Sequence, residues 1–93
     1  MSSVSLSEFS AMVTAMNKMK EKSYNPGNAS LLYMYARYKQ ATRGDVTGPR
    51  PNGFMKTMER RKWDAWNELR GMSAVQAMNE YVVYGKEILN TNV

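Results

Sequence analysis

The chain has 93 residues, enough for one domain around one modest core, and its 43% hydrophobic and 23% charged content is that of an ordinary globular protein. It contains no cysteine and no histidine, which excludes a disulfide framework and thiolate chemistry and removes the commonest general base and metal ligand. A net charge of +5 suits an anionic partner such as a phosphorylated small molecule, nucleic acid or an acidic membrane surface, although charge alone is better explained by a solvated basic surface.

The N-terminus shows no basic n-region and no long apolar stretch, so no secretory signal is expected. No apolar run approaches the ~20 residues needed to span a bilayer. Ser5-Leu6-Ser7-Glu8 has the capping-box pattern and predicts the start of a helix. Leu6, Phe9, Val13 and Met16 then recur at intervals of three and four, the stripe of an amphipathic helix. Lys18, Lys20, Glu21 and Lys22 close it with charge that complements the helix dipole. Ser23-Tyr24-Asn25-Pro26-Gly27-Asn28 is turn chemistry, with Asn28 a candidate N-cap for the next helix.

The second helix is predicted over about residues 29–42. Its first half, Leu31-Leu32-Tyr33-Met34-Tyr35-Ala36, is apolar almost all round, so it requires cover on two sides. Tyr35, Tyr38 and Lys39 fall at i, i+3 and i+4 and share one face. Two phenol rings and an ammonium on one face suit a flat aromatic ligand that carries phosphate. Taken singly, both tyrosines are explained as packing aromatics and the lysine as solvated charge.

Thr47-Gly48-Pro49-Arg50-Pro51-Asn52-Gly53 cannot continue regular structure. It makes a long connection to a third helix over about residues 56–69, whose inner stripe is Trp63, Trp66 and Leu69. Arg70-Gly71 is a helix stop, and Ser73-Ala74-Val75-Gln76 reads as a second capping box. In the fourth helix Val75, Met78 and Val82 form one stripe, with Tyr81, Tyr84 and Ile88 nearby. Gly85 in its interior costs about 1 kcal/mol relative to alanine, and the sequence offers no reason for it. Nine methionines are expected mostly in the core, with Met12 and Met34 able to adapt a groove. Periodicity alone thus predicts an all-α four-helix bundle with one long connection, a single domain over residues 1–93.

Five motifs also resemble the acyl-CoA-binding protein family. They are Tyr35-Ala36-Arg37-Tyr38-Lys39-Gln40-Ala41-Thr42-Arg43-Gly44-Asp45, the Pro51-Asn52-Gly53 loop, Lys62-Trp63-Asp64-Ala65-Trp66, Gly71-Met72-Ser73 and Ala77-Met78-Asn79-Glu80-Tyr81. They occur in the family's order between about Phe9 and Ile88. The resemblance implies up-down-down-up topology, with the Pro/Gly loop as the crossover between the second and third helices. It places contacts to the nucleotide end of coenzyme A on Tyr35, Tyr38, Lys39, Lys62 and Tyr81, and an apolar lining for the acyl chain on Phe9, Val13, Leu31 and Leu32. The tryptophans are expected to be structural first. Departures from the family pattern are the extra residue at Asn52 and a longer turn through Ser23-Tyr24-Asn25. Arg37 and Arg43 sit at variable positions and receive no family role.

The resemblance implies a cytoplasmic monomer that binds, pools and transports long-chain fatty acyl-CoA esters without catalysis. It would use no cofactor and no metal, would meet acyl-CoA-using enzymes transiently, and would have no integral membrane association. The rival reading is a basic helical module for nucleic acid or another phosphorylated ligand; its cations are scattered and no recognition helix is evident.

Overall fold

The computed structural model describes residues 4–22 and 26–91. The turn expected at Ser23-Tyr24-Asn25 lies outside them. Four helices form: α1 (Leu6–Glu21), α2 (Asn28–Arg43), α3 (Thr57–Asn67) and α4 (Ala74–Thr91), with a 3₁₀ turn at Phe54–Lys56 leading into α3. No strand occurs among the described residues, and no described helix is long and apolar enough to cross a membrane.

Ser5 caps α1 as its sequence predicts. Its hydroxyl accepts the Glu8 N–H at 3.1 Å, and the Glu8 carboxylate accepts the Ser5 N–H at 3.0 Å. The second box is only half made. Ser73 Oγ accepts the Gln76 N–H at 3.1 Å, but the Gln76 amide turns along α4 to Glu80 at 3.0 Å instead of returning to the cap. Asn28 is not a cap but the first residue of α2; Gly27 precedes it with φ +102° and no side-chain cap bond.

Helix α4 lies between α1 and α2, and α3 packs on the far side of α2. Pairwise contacts give the directions. Val4 N–H donates to Asn79 Oδ1 at 2.8 Å, Phe9 meets Tyr81 edge-on at 5.2 Å, and Met12 lies against Gly85, so α1 and α4 run parallel. Ser30 bonds Tyr84 at 2.9 Å and Arg37 pairs with Glu80 at 2.9 Å, so α2 runs antiparallel to α4. Trp66 of α3 reaches Gly44 at the end of α2, while Lys62 lies over Tyr35 in its middle, so α2 and α3 are parallel. The topology is up-down-down-up, with residues 44–53 as the crossover.

Two apolar clusters form. The larger holds Phe9, Met12, Met16 and Met19 of α1, Met34 of α2, and Tyr81, Val82 and Ile88 of α4. The smaller holds Ala36, Val46, Trp66 and Leu69. The inner face of α1 is therefore Phe9-Met12-Met16-Met19. Leu6, expected on it, is 74% exposed, and Val13 is half-buried. On α4 the expected Val75 is exposed, while Ala77, Tyr81, Val82 and Ile88 face inward. The two exposed ones, Leu6 and Val75, belong to first turns. Gly85 also finds its reason: an added Cβ would stand 2.6 Å from Met12 Sδ and 2.8 Å from its Cγ. The glycine lets α1 and α4 approach closely.

Candidate functional site

Because α1 and α2 both rest on α4 without closing on one another, a cleft of about 570 Å³ remains between them. Val13, Met16 and Met19 line its α1 side, Leu31, Leu32 and Met34 its α2 side, and Ile88 contributes from α4. Asn17, Lys20 and Asn28 add polar groups to its wall. All five residues expected at a nucleotide end, Tyr35, Tyr38, Lys39, Lys62 and Tyr81, line this same cleft. Of the apolar candidates, Val13, Leu31 and Leu32 line it. Phe9 lies in the core beneath, 6.3 Å from the Tyr38 ring centroid. Met34 lines the cleft and Met12 is core, wedged against Gly85.

The helical spacing that aligns Tyr35, Tyr38 and Lys39 works as the sequence predicts, and α3 adds a second cation. Lys39 Nζ stands 5.9 Å from the Tyr35 ring centroid and Lys62 Nζ 5.4 Å from it. Lys39 Nζ is also 5.3 Å from the Trp66 ring. Two ammonium groups around one phenol ring make a local positive field held by aromatic faces. Burial pushes the Tyr35 hydroxyl pKa up, partly offset by the positive field of Arg43. Tyr81 is 5% exposed; burial, with a smaller contribution from Tyr38, raises its pKa to about 12. Both rings are therefore neutral near pH 7 and present hydroxyls able to donate and accept. Tyr38 is 40% exposed and lies 6.4 Å from Tyr81, ring to ring. The cleft thus joins an apolar wall to a cationic, aromatic, hydroxyl-bearing end. That arrangement suits an amphipathic ligand with a phosphorylated head.

Other motif residues lie away from the cleft and tie the chain together. Gln40 is 1% exposed. Its Nε2 donates to Asp45 Oδ1 and to the Met72 carbonyl, both at 2.9 Å. Asp45 Oδ1 also accepts the Gly71 N–H at 2.8 Å, at a residue whose φ of +91° favours glycine. The Gly71 N–H and the Gln40 amide, in that order, hold the Asp45 carboxyl below the usual range. Gln40 Oε1 is buried without a hydrogen-bond partner, so the clamp rests on the amide's two donors. Trp66 Nε1 donates to the Gly44 carbonyl at 2.8 Å, and Trp63 Nε1 to Gly48 at 3.3 Å. Arg50 grips Asp64 in two bonds of 2.7 and 2.9 Å. The tryptophans therefore anchor the crossover to α3. Arg37 also has a structural place: it stacks 3.6 Å from the Tyr33 ring while pairing with Glu80.

Sequence reasoning missed the clamp, and it missed Met16, Met19 and Met58 in the cleft wall. A glutamine in a helix that needs cover on two sides, followed five residues later by aspartate after a glycine stop, was the available signal for the clamp.

A small all-α bundle with a cleft open between its first two helices is the class that fold and site define. The family model described as Acyl CoA binding protein matches residues 7–84, and the chain belongs to that family. It is 44% identical over 72 residues to the acyl-CoA-binding protein of Brassica napus, a match covering 77% of each chain. It is 45% identical over 84 residues to acyl-CoA-binding domain-containing protein 5 of Xenopus tropicalis, covering 89% of this chain and 18% of that longer protein. Among solved structures, the crystal structure of ACBP from Moniliophthora perniciosa matches with a TM-score of 0.83 at 34% identity, over 97% of this chain and 85% of that one.

Proposed function

We propose that this protein binds long-chain acyl-CoA thioesters reversibly and acts as a non-catalytic, cytoplasmic, monomeric carrier and pool. The observation that carries the reading is the convergence of Tyr35, Tyr38, Lys39, Lys62 and Tyr81 on one cleft whose remaining wall is mainly apolar. In this reading the lysines take the terminal phosphate as point charges, each charge-assisted bond contributing roughly 1.5–3 kcal/mol. The tyrosines pack on the nucleotide. Val13, Leu31 and Leu32 cover the acyl chain, whose burial adds about 25 cal/mol per Å². Protection of the thioester and delivery to acyl-transferring or oxidising enzymes follow from reversible sequestration. A nucleic-acid module draws no support from this arrangement, because Lys39 and Lys62 line a cleft instead of an exposed basic strip.

Calorimetric titration with a series of acyl-CoAs, free CoA and the matching fatty acids tests the reading. Acyl-CoA should bind much more tightly than the fatty acid. Equal affinity would overturn the head-group assignment and leave a generic fatty-acid carrier. Monitoring thioester loss in the same samples tests the absence of catalysis.

A further inference from the structure

We propose that the turn carrying Phe54, with the cations around it, docks on the surface of an anionic lipid bilayer. Phe54 is 86% exposed, the most exposed of the large apolar side chains among the described residues. Single apolar side chains at a surface are ordinary; three observations separate this one. Its turn is tied down: the Thr57 hydroxyl donates to the Phe54 carbonyl at 3.3 Å, and Arg60 donates to the Gly53 carbonyl and to Thr57 Oγ1. Met58, one turn further on, is itself exposed and also lines the cleft, so apolar surface leads from the tip toward the cleft mouth. Lys56, Arg60 and Arg61 stand against Glu59 alone, three positive charges to one negative over residues 54–61. None of the three is in an ion pair among the described residues.

An exposed aromatic ring at the head of a cation-rich helix is the composition of an interfacial anchor. The ring enters the boundary between headgroups and acyl chains, and the cations meet anionic headgroups. An acidic protein would also be drawn to this charge, but a specific protein interface needs about 800 Å² of fitted surface per partner. Here the apolar contact among the described side chains consists of Phe54 and Met58. Docking does not depend on what the cleft holds. Its use, bringing the cleft mouth to a bilayer from which an amphipathic thioester is loaded, rests on the acyl-CoA reading.

Flotation of the whole chain with phosphatidylcholine vesicles, and with mixed phosphatidylcholine–phosphatidylserine vesicles, tests the proposal. The protein should float with the mixed vesicles at low salt and not with phosphatidylcholine alone. Phe54→Ser should weaken that partition on the order of tenfold, and Lys56→Glu by a similar factor. Both variants should keep the parent's thermal midpoint and its calorimetric affinity for acyl-CoA. Flotation of Phe54→Ser equal to the parent would overturn the proposal. So would a parent that ignores both vesicle types, including one retained instead by an acidic protein. Vesicle docking by a parent that binds no acyl-CoA would support the proposal and overturn the functional reading.

Discussion

Gly85→Ala should destabilise this protein even though alanine is the better helix former. In an exposed helix interior the substitution gains about 1 kcal/mol. Here the new Cβ would stand 2.6 Å from Met12 Sδ and 2.8 Å from Met12 Cγ. Both atoms belong to a buried side chain whose neighbours are Phe9, Met16 and the α4 core. Methionine is flexible, but its Cγ lies next to its own Cβ and moves only with a change of rotamer inside a packed cluster. Overpacking of that kind costs typically 1–3 kcal/mol, so the net loss should be about 1 kcal/mol. For a domain below 100 residues that is a fall of roughly 4–8 °C in thermal midpoint. The control is the same substitution in Met12→Ala. That background alone loses about 2–5 kcal/mol, but it removes both clashing atoms, so Gly85→Ala within it should raise stability by about 1 kcal/mol. Urea melts of the four proteins should therefore show a coupling near 2 kcal/mol. A higher midpoint for Gly85→Ala in the parent, or additive effects in the cycle, would refute the close-approach argument.

Lys39→Ala and Lys62→Ala should each weaken acyl-CoA binding by about tenfold or more without moving the thermal midpoint. Deleting the 3′-phosphate of the ligand should be non-additive with either deletion, as calorimetry with dephospho-CoA esters would read. Tyr38→Leu should lose affinity while keeping its fold, because stacking and the hydroxyl go together; a leucine variant of parental affinity would make the ring core filler only. The Asp45 carboxyl is held below its ordinary range by Gly71 and Gln40. Its contribution to stability is therefore present above the unfolded pKa of about 3.9 and lost as pH falls through the folded value. Thermal midpoints of Asp45→Asn should thus fall less steeply than the parent's below about pH 4.

Helix existence was legible because capping and periodicity are local: Ser5 and Glu8 make the box their spacing promises. The errors at Leu6 and Val75 share one cause. Both lie in first turns, where periodicity tells which side a residue faces but not how far the neighbouring helix extends. The cleft end was legible in part because Tyr35, Tyr38 and Lys39 are neighbours along one helix. Lys62 and Tyr81 entered only through the family motifs, since their meeting depends on how three helices pack. The reason for Gly85 and the function of Gln40 stayed hidden for the same reason: Met12 and Met72 are far away in the chain. The turn at Ser23-Tyr24-Asn25 falls outside the described residues.

The crossover explains why so much of the motif sequence is structural. Helix α2 has 16 residues, hence a length of about 24 Å. Residues 44–53 between it and the 3₁₀ turn can reach about 33 Å when extended, enough to carry the chain back to the level where α2 begins. A tight antiparallel hairpin would instead have set the first half of α3 beside the last turn of α2. The return allows parallel α2 and α3, and it brings Lys62, in the middle of α3, level with Tyr35 in the middle of α2. A loop that long is entropically free to wander unless it is fastened. The fastenings are Trp66 on Gly44, Trp63 on Gly48, Arg50 on Asp64, and the Gln40–Asp45–Gly71 clamp at its start. Residues outside the cleft lining thereby set the separation of two lysines that line it. Loosening the clamp should reach the cleft through geometry, by letting α3 and its lysine drift from α2.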